Sequence, residues 1–306
     1  MNRLGVGICA VVAVAGTSPT TVPAQAHGPA NGYLVVSGGA ERSTDIYEKF
    51  IALAGGPDAL ILVVPTSGNA DTYDDTCDCL KWLKAAHARN LKILHTRDRN
   101  VANSDAFVAP IRQARGVWFA EGNSWKHQDA YLDTKVHHEL MALLDRGGVI
   151  GGGSAGGRIQ GEYIPLRSPE PKQRAIPEKD WRRGLAFLRN VAVDAHVLVR
   201  NRQFDMIGLV EAHPNLLGLG IDENTAVVVH GDAFDVIGSS YVIIYDNTRQ
   251  IQPVNDESLR TVGGRFYFLR SGDHYDLNTR LASRPPSGQP PTDRLVQSAW
   301  KGSPDR

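Results

Sequence analysis

Gly148-Val149-Ile150-Gly151-Gly152-Gly153-Ser154-Ala155-Gly156-Gly157 decides how the rest of the chain is read. The segment joins an apolar, strand-like run to a helical stretch, and three readings fit its glycines. Gly151, Gly153 and Gly156 satisfy the G-x-G-x-x-G spacing of a dinucleotide-binding loop. That loop normally opens a first βαβ unit and leads to a further strand, whereas here a Pro-rich segment follows. A second reading gives the glycines only close helix–strand packing, or an anion held by backbone N–H groups. The third takes Gly152-Gly153-Ser154-Ala155-Gly156 as a G-x-S-x-G nucleophile elbow. It alone accounts for the serine: the sharp turn exposes Ser154, and the Ala155 N–H faces a developing oxyanion.

Upstream of the turn, apolar runs alternate with amphipathic stretches. Strands are expected at residues 33–37, 60–65, 91–94, 116–119 and 148–150. Helices are expected at 46–53, 80–87, 106–113 and, as one long element, 128–145. Continuous apolar runs separated by helices indicate a parallel α/β sheet buried on both faces. Downstream, Pro165, Pro169, Pro171 and Pro177 punctuate a charged stretch that reads as a long loop. Helix and strand resume at 191–193, 204–212 and 217–221. A strand-rich end follows at 225–229, 234–237, 241–245 and 265–269. No repeat of 20–50 residues is visible.

The chain has 306 residues with 33 basic and 33 acidic side chains. Arg3, the apolar run 5–15 and Ala24-Gln25-Ala26 read as a secretory signal over residues 1–26. Its removal leaves 280 residues and a charge of −1, since Arg3 goes with it. The expected product is secreted or periplasmic, with a short lead at 27–31, a single domain at 32–272 and a tail at 273–306 that is loose from about 283. Near-neutral charge argues against nucleic-acid binding, and no later apolar run approaches the ~18 residues of a membrane span. The pattern leaves oligomeric state open, a homodimer being the assembly considered. Cys77-Asp78-Cys79 is expected not to bridge internally, because i, i+2 side chains diverge in helix and strand alike. A structural or intermolecular role is the expectation, and no further ligand pair nearby supports a metal.

A serine nucleophile needs a base, and the base an orienting acid. Among ten histidines, His196 stands just past the 191–193 run, where open α/β sheets place their sites. His213, before Pro214, reads as a helix-end residue near the macrodipole. For the acid, Asp222 and Glu223 follow the 217–221 run, while Glu170 and Glu178 lie in the Pro-rich stretch. Ser154, His196 and a strand-end carboxylate would then converge along one sheet edge.

These residues resemble cyanophycinases and the related alpha-aspartyl dipeptidase (peptidase E) family. The resemblance rests on Gly153-Ser-Ala-Gly156, Val35-Val-Ser-Gly-Gly39, Val64-Pro-Thr-Ser67, Gly147-Gly-Val-Ile150, Asp194-Ala-His196, Gly218-Leu-Gly-Ile-Asp-Glu223 with Thr225-Ala226, and Val236-Ile-Gly-Ser239. It implies a flavodoxin-like, class I glutamine-amidotransferase-like fold: a mostly parallel sheet with helices on both faces and extra strands toward the C-terminus. It also implies a serine peptidase that needs no metal or organic cofactor and acts on a peptide or aspartyl-peptide substrate; cyanophycinases release β-Asp-Arg dipeptides. Ser154 becomes the nucleophile, His196 the general acid/base and Glu223 the acid, chosen over Asp222 on the resemblance, with Glu170 the alternative. The Ala155 N–H and the Gly122 backbone would form the oxyanion hole. Asn123, Ser124, Asp194, Arg200 and Arg202 are substrate-pocket candidates. The chain departs from the family at Glu121-Gly122-Asn123-Ser124, where a Gly-Gly-Asp-Gln type segment is usual, at Ala195, which replaces a glutamine, and at Asp205, which replaces an arginine. Two rival readings remain: an α/β-hydrolase esterase, disfavoured by 110 residues after His196, and a non-catalytic binding protein that keeps the fold.

Overall fold

The computed structural model describes residues 26–165, 178–248 and 266–284. The N-terminal alternation forms β1 (Tyr33–Ser37), α1 (Asp45–Leu53), β2 (Ile61–Val64), α2 (Lys81–Ala85), β3 (Leu91–Ile93), α3 (Arg99–Ala102), α4 (Asp105–Gln113), β4 (Gly116–Phe119), α5 (Ser124–Tyr131), α6 (Lys135–Asp145) and β5 (Val149–Gly153). Strands β1-β5-β4-β2-β3 lie side by side in that order, all parallel. Every residue of β1, β2, β4 and β5 is buried, as strands covered on both faces require. The later elements are α7 (Ala155–Arg158), β6 (Gly161–Pro165), β7 (Trp181–Arg183), β8 (Leu188–Ala195), α8 (Ile207–Ala212), β9 (Leu217–Ile221), β10 (Thr225–His230), β11 (Ala233–Gly238), β12 (Tyr241–Asp246), β13 (Phe266–Arg270), β14 (His274–Asp276) and β15 (Leu281–Ser283).

The main sheet continues past β1 through β10, β11, β14 and β15, all antiparallel. A second sheet has the order β13-β12-β9-β8-β6-β7, with β6, β8 and β9 parallel. Alternation along each strand assigns the layers. Leu34 and Val36 of β1 pack with Val193, Leu219 and Ile244, so the two sheets share a core. Val35 and Val63 point the other way, onto Phe50 of α1 and Leu83 beside it on α2. The outer face of the second sheet is closed by Leu209 of α8 against Ala192 and Ile243. The architecture is the mostly parallel, flavodoxin-like α/β class, and the extra strands expected toward the C-terminus extend the main sheet and contribute to a second sheet packed on one of its faces.

Several expectations are corrected. The helix predicted over 128–145 is two helices, broken where Asp133 takes a φ of +56° and the Thr134 hydroxyl donates back to the Tyr131 carbonyl at 2.7 Å. Tyr131 closes the first helix with its hydroxyl 2.6 Å from Thr66 Oγ1, a buried contact that a continuous helix would have to carry past the break. Residues 273–283 are not a tail: β14 and β15 extend the main sheet, and Tyr275 is fully buried. The lead at 27–31 is pinned by backbone bonds from Gly28 to Gly231 and from Gly231 to Pro29. Cys77 and Cys79 do bridge each other. Cys77 is extended and Cys79 already lies in a 3-10 turn, so the backbone change between them brings both sulfurs to one side. Pro165 ends a strand inside the second sheet, paired with Trp181, rather than opening a loop. Residues 166–177, with Glu170 and the question of a lid, lie outside the described residues, as do the signal segment 1–25 and the chain after 284.

Candidate active site

Backbone register assembles the site. Ser37 of β1 pairs with Gly153 of β5, and the Ser154 N–H donates to the Ser37 carbonyl at 3.1 Å. The next step of the chain is a sharp turn. Ser154 has φ +52° and ψ −108°, a conformation costly for a residue with a side chain, and it caps α7. Strain of this kind is what a nucleophile elbow requires. The packing reading of the glycines holds as well: a Cβ on Gly156 would lie 2.0 Å from the Phe119 carbonyl oxygen. It explains Gly156 but not the backbone at Ser154.

The partners come from the second sheet. Ala195 of β8 is in register with Ile221 of β9, so the residues just beyond the two strand ends are neighbours. His196, at φ +58°, turns back toward Ser154. Its Nε2 lies 2.7 Å from Ser154 Oγ and its Nδ1 lies 2.8 Å from Glu223 Oε1. With Nδ1–H donating to Glu223, Nε2 is left to accept the serine proton. The three residues therefore meet from two facing sheets, not along one sheet edge. Glu223 reaches the serine's side because it lies in the connection from β9 of one sheet to β10 of the other.

Geometry separates the two candidate acids at this strand end. Asp222 Oδ1 accepts from the Leu198 and Val199 N–H groups at 3.0 and 3.1 Å, and its Oδ2 accepts from Ser240 Oγ at 2.7 Å. It braces the turn after His196, while Glu223 holds the imidazole. Burial, followed by the positive charges of Arg200, Arg158 and Arg202, pushes His196 down to about 3. The Glu223 carboxylate pulls the other way through its hydrogen bond, and the net direction is a neutral imidazole at pH 7.

The remaining candidates divide by burial. Asn123 is exposed and precedes α5; Arg200 is exposed close to His196. Ser124, Asp194 and Arg202 are buried, so they do not line an open pocket. Asp194 instead pairs with Arg158, Nε to Oδ1 at 2.7 Å, and accepts from the Ala195 N–H at 2.8 Å. Arg158 and Arg202 both donate to the Ala195 carbonyl, at 3.1 and 3.3 Å. This buried network fixes the residue before His196. Gly122, at φ +139°, lies past β4 as Ser154 lies past β5, and Ala155 opens α7 with a first-turn N–H that has no helical acceptor. His213 ends α8, as its position before Pro214 suggested. Glu170 lies outside the described residues.

Sequence reasoning missed Glu41 and Arg158. Glu41 is buried beside the turn after β1, where Ser37 Oγ donates a very short hydrogen bond to Oε1 and Tyr47 Oη donates to Oε2 at 3.2 Å. A charged residue two positions after Gly38-Gly39, with only Ala40 between, was the available signal. Arg158 carried a comparable one, as a lone charge in the apolar and glycine-rich turn. Among the described residues no group of histidine, cysteine and carboxylate side chains could hold a metal, and no helix is long and apolar enough to cross a membrane.

Comparison with known proteins identifies the family. A cyanophycinase from Geminocystis herdmanii is 28% identical over 258 residues, covering 80% of this chain and 94% of its own. One from Thermosynechococcus vestitus is 29% identical over 279 residues, covering 85% and 84%. The crystal structure of a peptidase from an acI-B1 actinobacterium superposes with a TM-score of 0.57 at 20% identity, over 82% of this chain and 98% of that one, which supports the fold. The profile of peptidase family S51 matches residues 33–237, with the elbow, the histidine and the acid all inside that span. This sets aside the α/β-hydrolase esterase reading. The chain belongs to peptidase family S51, and the bond it breaks is an amide.

Proposed function

We propose that the chain is an exported Ser-His-Glu peptidase whose nucleophile is Ser154. The observation that carries the reading is the unbroken hydrogen-bond chain Ser154–His196–Glu223, at 2.7 and 2.8 Å. His196 Nε2 takes the proton of Oγ as the serine attacks the amide carbonyl. The tetrahedral oxyanion is met by the Ala155 and Gly122 N–H groups; loss of one such donor commonly costs about 10²–10³ in rate. The imidazolium, held by the Glu223 carboxylate, then protonates the leaving amine. Water activated by the same His196 hydrolyses the acyl-enzyme and restores the serine. No step draws on a metal or organic cofactor.

The substrate class follows the relatives: an aspartyl-containing or cyanophycin-like amide or isopeptide. Residues 1–26 read as a cleaved signal, and N-terminal sequencing of the protein from its native compartment tests that directly. The catalytic reading is tested with a fluorophosphonate probe on residues 27–306 and on Ser154→Ala and His196→Ala. Labelling should vanish in the first variant and fall steeply in the second. Equal labelling of all three would leave a fold without this chemistry, the non-catalytic binding reading. A panel of α- and β-aspartyl dipeptides together with cyanophycin then separates the substrates.

A further inference from the structure

The run Val64-Pro65-Thr66-Ser67 carries the chain past the end of β2, and its last residue is a wholly buried serine. Val64 pairs with Phe119 of β4, and the Ala120 N–H donates to the Val64 carbonyl at 3.0 Å, so the two segments leave the sheet side by side. From there Ser67 grips the 120–123 turn through the backbone. Its hydroxyl shares one proton between the Ala120 and Glu121 carbonyls, at 2.9 and 2.6 Å. Its own carbonyl accepts from the Asn123 N–H at 3.0 Å. Gly122 lies flat against it: a Cβ there would come 2.5 Å from the Ser67 carbonyl oxygen, and φ is +139°. The close approach and the positive φ both require glycine.

The direction of this grip decides where the Gly122 N–H points. In a planar trans peptide the carbonyl of one residue and the N–H of the next point opposite ways. The Glu121 carbonyl is drawn toward Ser67, so the Gly122 N–H is turned away from it. In the sheet β4 lies between β2 and β5. Away from Ser67, which follows β2, is therefore toward Ser154, which follows β5. The Glu121 side chain marks the same sense. Its Oε1 accepts from the Ala40 N–H at 2.9 Å, and it lies with Ser154 Cβ beside Gly39, at 2.9 and 2.8 Å from a Cβ built there. Glu121 thus has its carbonyl on the Ser67 side and its carboxylate on the Ser154 side.

We infer that Ser67 is a positioning residue for the reaction: its buried hydroxyl holds the Glu121–Gly122 peptide so that the Gly122 N–H faces the oxyanion. The inference rests on the Ser154 reading and adds the residue that aims one of its two oxyanion donors. A donor fixed beforehand stabilises developing charge because nothing has to reorient as the charge forms. Without the hydroxyl two carbonyls lose their shared donor, and the peptide between residues 121 and 122 is freer to rotate. The Asn123 bond and the strand pairing remain, so the expected loss lies below the about 10²–10³-fold of deleting a donor outright.

Fluorophosphonate labelling of the full chain tests this. Ser154 Oγ displaces fluoride from phosphorus, its proton passes to His196, and the phosphoryl oxygen occupies the oxyanion's place. Rates over a series of probe concentrations give a limiting rate and a half-saturating concentration for wild type, Ser154→Ala, Ser67→Ala, and the isosteric pair Ser67→Thr and Ser67→Val. In Ser67→Ala the limiting rate should fall about 10–10²-fold with half-saturation within about twofold, the pattern of an interaction made only in the transition state. Ser67→Thr should label at least about fivefold faster than Ser67→Val, which has the same bulk without the hydroxyl. Rates are read where circular dichroism shows each variant folded, and the Thr/Val comparison carries the test if Ser67→Ala does not fold. A merely structural serine would lower Tm and leave the limiting rate of the folded protein unchanged. An unchanged limiting rate in Ser67→Ala, a change confined to half-saturation, or equal rates for Ser67→Thr and Ser67→Val overturns the inference and leaves Ser154 as nucleophile. Equal labelling of wild type and Ser154→Ala overturns the nucleophile, and the inference with it.

Discussion

Replacing Asp194 by asparagine removes the carboxylate that faces Arg158 beneath His196. Both side chains are almost wholly enclosed, at 4% and 2% exposure, with Nε and Oδ1 at 2.7 Å. Breaking a buried pair from one side costs about 3–5 kcal/mol, because the remaining charge stays desolvated. Two features place this pair at the lower end. Arg158 keeps its bond to the Ala195 carbonyl, and an asparagine oxygen can still accept from the Ala195 N–H. The expected loss is about 3 kcal/mol, or a fall in Tm of about 6–12 °C for a domain of this size. Thermal melts followed by circular dichroism on Asp194→Asn, Arg158→Met and the double variant measure it. The double variant should lose less than the two singles together, since no lone charge remains. A Tm within about 2 °C of wild type for Asp194→Asn, or strictly additive singles, would refute the account. Because the pair holds both backbone groups of Ala195, fluorophosphonate labelling of Ser154 should slow in Asp194→Asn at temperatures where the protein is folded.

Glu223→Gln should reduce amide hydrolysis by at least about 10²-fold, since the imidazolium loses its counter-charge, while Glu170→Gln changes it little; the reverse ranking in a kcat/KM comparison would move the acid into the Pro-rich stretch. His196, pushed down to about 3, stays neutral through the mildly acidic range, so the labelling rate should hold nearly constant from pH 7 to about pH 5; a loss centred near the ordinary histidine value of about 6.5 would contradict it. His196 and His127, the latter pushed down to about 4 by burial, both bind protons more readily unfolded. Their stabilising contribution is therefore present above the unfolded histidine value and lost as pH falls below it, so Tm should drop between about pH 6.5 and 4. Gly156→Ala drives a carbon against the Phe119 carbonyl and should destabilise by more than the ~1–3 kcal/mol of ordinary overpacking, read as a lower denaturation midpoint; a neutral outcome would remove close packing as the reason for that glycine.

How far the sequence discloses this site depends on what each residue's neighbours say about it. Ser154 was legible because its glycines are local consequences of the turn that presents it. His196 was legible because strand ends are visible in apolar runs, and the periodicity of 191–193 and 217–221 marks two such ends. The apolar runs of β8 and β9 do not reveal that they pair with each other in a second sheet, since a buried strand has the same composition whichever sheet it joins. For that reason Ser154, His196 and Glu223 read from sequence as one edge and in fact meet at a junction between two sheets. The distinction has a physical consequence. Glu223 lies in the link from β9 to β10, so it bridges the sheets that carry His196 and Ser154, and its hydrogen bond to His196 reports their relative position. Asp194 misled for the opposite reason: adjacent to His196 in sequence, it alternates to a buried face and finds Arg158, a residue 36 positions away whose charge inside a glycine-rich turn only makes sense once the second sheet is in place. A substitution that loosens the contact between sheets, such as Val193→Ala in the shared core, should therefore weaken the His196–Ser154 contact without touching either residue. The expected result is a loss of labelling rate larger than that caused by an equally destabilising change under α8, such as Leu209→Ala, which packs only on the outer face; equal losses at matched stability would mean that the two sheets hold the site no more directly than any other part of the core.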